Sequence, residues 1–403
     1  MKRFQLFFKN ISERIENYPL ALPRYIALFI ALLSIRLCLE FFANHRLFNA
    51  DDVLHIGLWF SFIVLAFILQ LQYFSKTSID KIIKLVVCCF SIALSAPIID
   101  LIVSQGKFSK MNYLSINSTS DIVKAYFSIG GASLTRGATI GIRIEIILLV
   151  LASFNYIYIR TNNFLRAILG TTSIYTVLFL TGVIPFFIGQ LNAFFGLTYG
   201  QNDQSSIYLL FTLDLILVLI LLLKLKPDVI KIHFNWSFIL HLFSIGIPLL
   251  VGIWIARFDY PKNWTLNPTT IYFFPLLIVL TFILAIYTAD MQKMVTHGKR
   301  QLFQNSLIVL LFAVGAILSF QTLFALFLVW SINFVLYEQP CECYKYKWFS
   351  SILNAFLTLA IVMFSFISFG APMVGFNKLY ILAILIISFS SSLGFSKLKH
   401  YFS

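Results

Sequence analysis

The chain has 403 residues, of which 60% are apolar and only 11% charged, with a formal net charge of +14. A soluble domain carries roughly a quarter charged residues, and no stretch here is polar enough to form one, so a water-soluble enzyme or binding domain is excluded. The basic residues are spread over short segments between apolar runs, which reads as a topology signal and an attraction to anionic lipid rather than a nucleic-acid surface.

Runs of about 20 apolar residues suit a helix that crosses a hydrocarbon core of roughly 30 Å. Lipid offers no hydrogen bonds to the backbone, so each run is expected to be a helix despite its richness in Phe and Ile. The amino-terminal segment carries Lys2, Arg3, Lys9 and Arg14, with Arg24 at the start of the first run. The run itself, 24–43, is too long for a signal-peptide core and has no small-x-small site near Ala43, so it is expected to remain as an anchor. Inside it Arg36 and Glu40 stand four apart on one face, suited to an ion pair. Ionisable groups within spans are costly and therefore mark candidate sites.

The next segment reads Asn49-Ala50-Asp51-Asp52-Val53-Leu54-His55. Paired acids there could serve as a general base or metal ligand, and they also suit a helix start, with carboxylates at the positive dipole end. Spans follow at 55–74 and 84–103, with Lys76, Lys81 and Lys84 between them and Asp100 near the end of the second. The segment 104–138 is the longest without a span. In it Asp121 is expected to cap a short interfacial helix carrying Ile122, Val123, Tyr126, Phe127 and Ile129 near one face, ended by Gly130-Gly131. The span 139–159 contains Arg143 and Glu145, two positions apart and so pointing to different faces, with Asp100 or Asp214 as the expected partner of Arg143. Spans at 166–189 and 205–224 complete the first half, the second of these holding Asp214.

The stretch Lys224-Leu225-Lys226-Pro227-Asp228 marks a boundary between residues 1–230 and 231–403. Further spans are expected at 236–256, 270–288, 302–320, 322–337, 349–369 and 377–395; the pair meeting at Gln321 is either a tight hairpin or one bent helix. Lys and Arg gather in every second loop, and the loop 190–203 has neither. By the positive-inside rule both termini are cytoplasmic. Lys107, Lys110, Lys124 and Arg136, in 104–138, run against that register. The fold class is thus all-α: a polytopic membrane helix bundle of about twelve spans, expected in a bacterial inner membrane. Five cysteines imply no disulfide framework,, and Cys341-Glu342-Cys343 lacks the further ligands of a metal site. No phosphate-binding glycine loop, zinc-helix motif or nucleophile elbow occurs.

From about residue 231 the chain resembles the UbiA superfamily of intramembrane prenyltransferases. The resemblance rests on helix order, beginning at Lys231-Ile232-His233-Phe234-Asn235-Trp236, and on Leu336-Tyr337-Glu338-Gln339-Pro340 followed by the basic Lys345-Tyr346-Lys347. That loop is similar to the family's cytoplasmic Tyr-Ser-x-Pro-Pro-x-x-x-Lys loop. Where the family places its first diphosphate-binding acidic string, this chain reads Ile286-Tyr287-Thr288-Ala289-Asp290-Met291-Gln292-Lys293-Met294, and only Asp290 matches. The second acidic motif would fall at Lys397-Leu398-Lys399-His400, which has no acid. One carboxylate cannot assemble a two-metal diphosphate site, so the resemblance implies a degenerate relative, a pseudoenzyme for ordinary prenyl transfer.

Three functions follow as expectations. The first is a UbiA-like protein that binds a polyprenyl or other isoprenoid lipid, with Arg36, Glu40, Asp100, Asp214, Asp290 and Tyr337 as candidate binding residues. The second is a polyprenyl-linked glycosyltransferase or polysaccharide polymerase of the cell envelope, using Asp51, Asp52, Arg143 and Glu145. The third is a transporter or a subunit of a membrane complex. No cofactor is expected, with Mg²⁺ entering only if Asp290 or Asp51 and Asp52 are catalytic.

Overall fold

The computed structural model describes residues 2–19, 22–44, 50–103, 118–128, 139–196, 202–225, 236–259, 347–368 and 377–401, with shorter stretches between 272 and 332. The described residues are helical, and seven helices among them are long and apolar enough to cross a membrane. The chain is an integral membrane protein. It divides into two compact units, Met1–Leu225 and Lys226–Ser403.

The first unit contains α1 (Lys2–Asn17), α2 (Leu22–Asn44), α3 (Ala50–Ser75) and α4 (Ile79–Cys89). A 3-10 stretch (Phe90–Leu94) joins α4 to α5 (Ser95–Val103), and these are followed by α6 (Thr119–Phe127), α7 (Ile140–Thr161), α8 (Phe164–Gly182), α9 (Ile184–Phe194) and α10 (Asn202–Leu225). A helix of 22 residues such as α7 is about 33 Å long, enough for the hydrocarbon core. Its outward side chains, Ile147, Leu148 and Leu151, are exposed apolar groups suited to lipid.

Local chemistry sets the ends. Thr139 begins α7 and accepts from the Ile142 N–H; Asn162, at φ 49°, ends it in the left-handed conformation that Asn tolerates,. Asn163 then accepts from the Arg166 N–H to begin α8, so α7 and α8 form an antiparallel hairpin. α3 runs antiparallel to α8. Trp59 Nε1 donates to the Thr181 carbonyl at 3.2 Å, Gln70 Nε2 to Ser173 Oγ at 2.9 Å, and Arg166 Nε to the Phe74 carbonyl at 2.6 Å.

That last contact belongs to a basic end. Arg166 also donates to the Tyr73 carbonyl, satisfying orphan carbonyls at the C-terminus of α3,. Lys224 Nζ reaches Gln72 Oε1 at 2.7 Å, and Lys84 Nζ reaches the Tyr18 carbonyl at 3.0 Å. The N-termini of α3, α7 and α10 therefore lie at the opposite, far end.

Three sequence expectations are revised. Residues 79–103 form one broken span, because Pro97 cannot donate to the carbonyl of Ala93 four positions back and its ring crowds that group. The run 166–189 breaks at Val183, where Pro185 enters the first turn of α9. The short helix α6 begins one turn before Asp121, with Ser118 Oγ accepting from the Asp121 N–H at 3.3 Å. Its apolar residues also split between two sides. Ile122 and Tyr126 pack with Ala125 against Phe179, Val183 and Phe186, whereas Val123 and Phe127 are exposed. Ile129 and Gly130-Gly131 lie outside the described residues.

The second unit contains α11 (Trp236–Asp259), α12 (Lys347–Ser368) and α13 (Lys378–Tyr401). α11 packs on α12, and α12 on α13. Gly252 permits the first contact, since a Cβ there would run into Ser365 Oγ and the Val362 carbonyl. Tyr380 Oη donates to Asp259 Oδ1 at 3.2 Å. Of the proposed span 270–288 the greater part is described and is helical, unbroken over 278–286; 325–332 within the proposed span 322–337 is helical too, and the proposed span 302–320 lies largely outside the described residues.

Candidate functional site: a buried charged layer

The broken span α4–α5 positions the charges of the first unit. Arg36, 1% exposed, projects from α2 toward the break, and its Nη1 donates to the Ala93 carbonyl. Proline therefore deprives a buried backbone acceptor of its helical donor, and an arginine from another span replaces it. Lipid could not supply that hydrogen bond.

The same guanidinium holds two acids. Its Nη2 lies 2.7 Å from Glu40 Oε1 and 3.7 Å from Glu145 Oε2. Phe60 covers it, with the ring centroid 5.4 Å from the guanidinium carbon,. The ion pair expected from the four-residue spacing is present, and Glu145 of α7 joins it.

Asp100 has another task. Its Oδ1 accepts from the Gly141 N–H at 2.9 Å, and its Oδ2 accepts from Thr139 Oγ1. The carboxylate thus caps α7 from a neighbouring span and stands at the positive end of its dipole. The cap requires α5 and α7 to approach closely, and Gly141 allows it. A Cβ at that position would meet the backbone of Ala96.

The expected pairing of Arg143 with Asp100 or Asp214 is therefore not what forms. Asp100 is engaged by the start of α7, and both Asp214 oxygens are buried without a hydrogen-bond partner among the described residues. Residues two apart on a helix are turned about 200° from each other, so Glu145 faces Arg36 while Arg143 faces away from it. Arg143 makes no ion pair among the described residues, and its Nε is buried without an acceptor. It sits about 6 Å along the axis from the Thr139 cap.

Asp214 stands apart from this layer. It is 6% exposed and lies near the middle of the 24-residue α10, about 18 Å from either end. Nearby polar contacts lie toward the far end, where Asn192 Nδ2 donates to Ser205 Oγ at 3.0 Å.

A second cluster, not anticipated from the sequence, lies at the basic end. Arg160 of α7 contacts Glu16 at 2.6 Å and Glu13 at 3.6 Å, both on α1. Tyr156 Oη donates to Glu16 Oε1 at 2.9 Å. The legible signal was that an acid at Glu16 and a base at Arg160 end their helices in apolar company; nothing local says that they meet.

Asp51 and Asp52 fall in the first turn of α3, at the far end; their side chains are outside the described ones. Asp290, Tyr337 and the loop 336–346 lie outside the described residues, as do Cys341 and Cys343. The carboxylates on which Mg²⁺ would depend are thus not among the described side chains. No group of three His, Cys, Asp or Glu suited to a metal ion occurs among the described residues. What the described charges can do chemically is narrower. Arg36 and Asp100 are occupied with structural partners, while Arg143 presents a cation to whatever reaches the start of α7. No family model, curated protein or solved structure matches the chain.

Proposed function

We propose that the chain is a bacterial inner-membrane protein of about twelve spans, with both termini cytoplasmic, that binds an anionic isoprenoid-type lipid without ordinary prenyl transfer. The basic end of the first unit is the cytoplasmic one by the positive-inside rule, which puts the charged layer toward the outer leaflet. The observation that carries the reading is Arg143, a guanidinium within that layer without a carboxylate partner among the described residues. A guanidinium suits a phosphate or diphosphate head group, which accepts its hydrogen bonds in a bidentate fashion. The resemblance of residues 231–403 to intramembrane prenyltransferases supplies the isoprenoid class of the tail.

A second reading is favoured by the place of Asp51 and Asp52 at the far end, where Arg143 also begins. A polyprenyl-linked glycosyltransferase would use a carboxylate as base and a cation against the leaving diphosphate.

Native mass spectrometry of the purified protein tests both. The wild type should carry a phosphorylated isoprenoid that Arg143→Gln loses and Arg143→Lys retains in part. A lipid-linked sugar in its place selects the glycosyltransferase. An identical lipid complement in wild type and Arg143→Gln defeats the reading.

A further inference from the structure

Helix α1 carries three distinct faces. Ser12 and Glu16 are buried, with Ile15 packed on the core, and Glu16 is held by Arg160 and Tyr156 of α7. That side is docked to the bundle. Phe7 and Ile11, four apart, form a second line that Tyr18, just past the last residue of α1, continues, and all three are exposed. Asn10, Glu13 and Asn17, spaced three and four apart, form the third and polar face, on which Leu6 also falls. With about 100° per residue, the docked, apolar and polar faces follow one another around the helix, each roughly a third of a turn from the next.

A helix standing in water has no use for the second face, and a helix crossing lipid cannot carry the third. A helix lying in the plane of the interface against a bundle needs all three: one side for protein, one for acyl chains, one for water. The charges agree with such a place. Lys9, Arg14, Arg24 and Lys76 are exposed at the end of the unit to which α1 docks. Of the acids on α1, Glu13 and Glu16 are both engaged by Arg160. The surface around α1 is left with excess positive charge.

We propose that α1 is an in-plane helix whose Phe7 and Ile11, with Tyr18 just past its end, enter the acyl region of an anionic leaflet while Arg14, at the border of that face, holds its head groups. The occupant of the exposed apolar face is therefore membrane lipid, and Glu16 is the latch that fixes the helix's roll so that this face meets it. Nothing in this depends on what Arg143 binds.

The test is site-specific photocrosslinking of the full chain. Benzoylphenylalanine is placed in turn at positions 7, 11, 18, 10 and 17, in phosphatidylcholine nanodiscs with and without phosphatidylglycerol, and adducts are identified by mass. Tyr18, already aromatic, is the least perturbing site and controls for folding. Lipid adducts should exceed those at positions 10 and 17 several-fold at positions 7, 11 and 18. Phosphatidylglycerol should be over-represented in them relative to its share of the bilayer, and Arg14→Gln should reduce that excess. A flat profile around the helix overturns the proposal. So do adducts to protein rather than lipid at positions 7 and 11, or adducts with no preference for the anionic lipid.

Discussion

Replacing Arg36 with Met takes the cation away from a buried site that has no water to substitute for it. The side chain is 1% exposed, and its loss leaves Glu40, 3% exposed, without its salt bridge at 2.7 Å. Breaking a buried ion pair from one side costs about 3–5 kcal/mol. The Ala93 carbonyl, already without a helical donor because of Pro97, loses Arg36 as well, adding about 1–3 kcal/mol for an unsatisfied buried acceptor. Against a total stability of about 5–15 kcal/mol, this is a large fraction. At about 2–4 °C per kcal/mol for a unit of this size, the thermal midpoint should fall by at least about 8 °C. Thermal unfolding in detergent, followed with a thiol-reactive fluorophore, suits the site. Cys88 and Cys89 immediately precede the 3-10 stretch that Arg36 holds, and both are free thiols. The double variant Arg36→Met/Glu40→Met should recover part of the loss, because replacing both members of a buried pair with apolar groups is close to neutral. Recovery should stop short of wild type, since Glu145 still lacks its cation. A midpoint for Arg36→Met within about 2 °C of wild type would refute the reasoning.

Two further outcomes follow from the packing. Gly141→Ala should destabilise by about 1–3 kcal/mol through overpacking, because the obstacle is the Ala96 backbone; Gly57→Ala, inside α3 with open space around it, should not lower the midpoint and should stabilise by up to about 1 kcal/mol, since Ala is the better helix former. Asp214→Leu should raise the thermal midpoint, since it removes a buried carboxylate without a hydrogen-bond partner among the described residues and an unsatisfied buried group costs about 1–3 kcal/mol. A fall would mean that Asp214 has a partner outside the described residues.

Much of the first unit is legible along the chain. The apolar runs at 24–43, 55–74, 139–159 and 205–224 correspond to α2, α3, α7 and α10 within a few residues at most ends, because crossing lipid is a requirement each segment meets alone. The Arg36–Glu40 pair is equally local: a four-residue spacing on a helix brings the two side chains together whatever surrounds them. The breaks at Pro97 and Pro185 have their cause in the sequence too, since the missing N–H belongs to the residue itself.

Partnership between spans has no such local signature. Glu145 is 109 positions from Arg36 by residue number and Asp100 is 41 from Gly141, and several acids are available to either cation. Only the packing of α5 on α7 turns Asp100 toward the start of α7 and so removes it as a partner for Arg143. The same holds for α1: its positive charge marks a membrane end, but the roll that exposes Phe7, Ile11 and Tyr18 depends on Arg160, 144 residues from Glu16. The sequence by itself determined the solvent and the spans that occur among the described residues, which hydropathy decides segment by segment. The tertiary structure decided which buried charges are satisfied and which lack a partner among the described residues, because in lipid each charge must find its partner within the bundle, and the bundle chooses it.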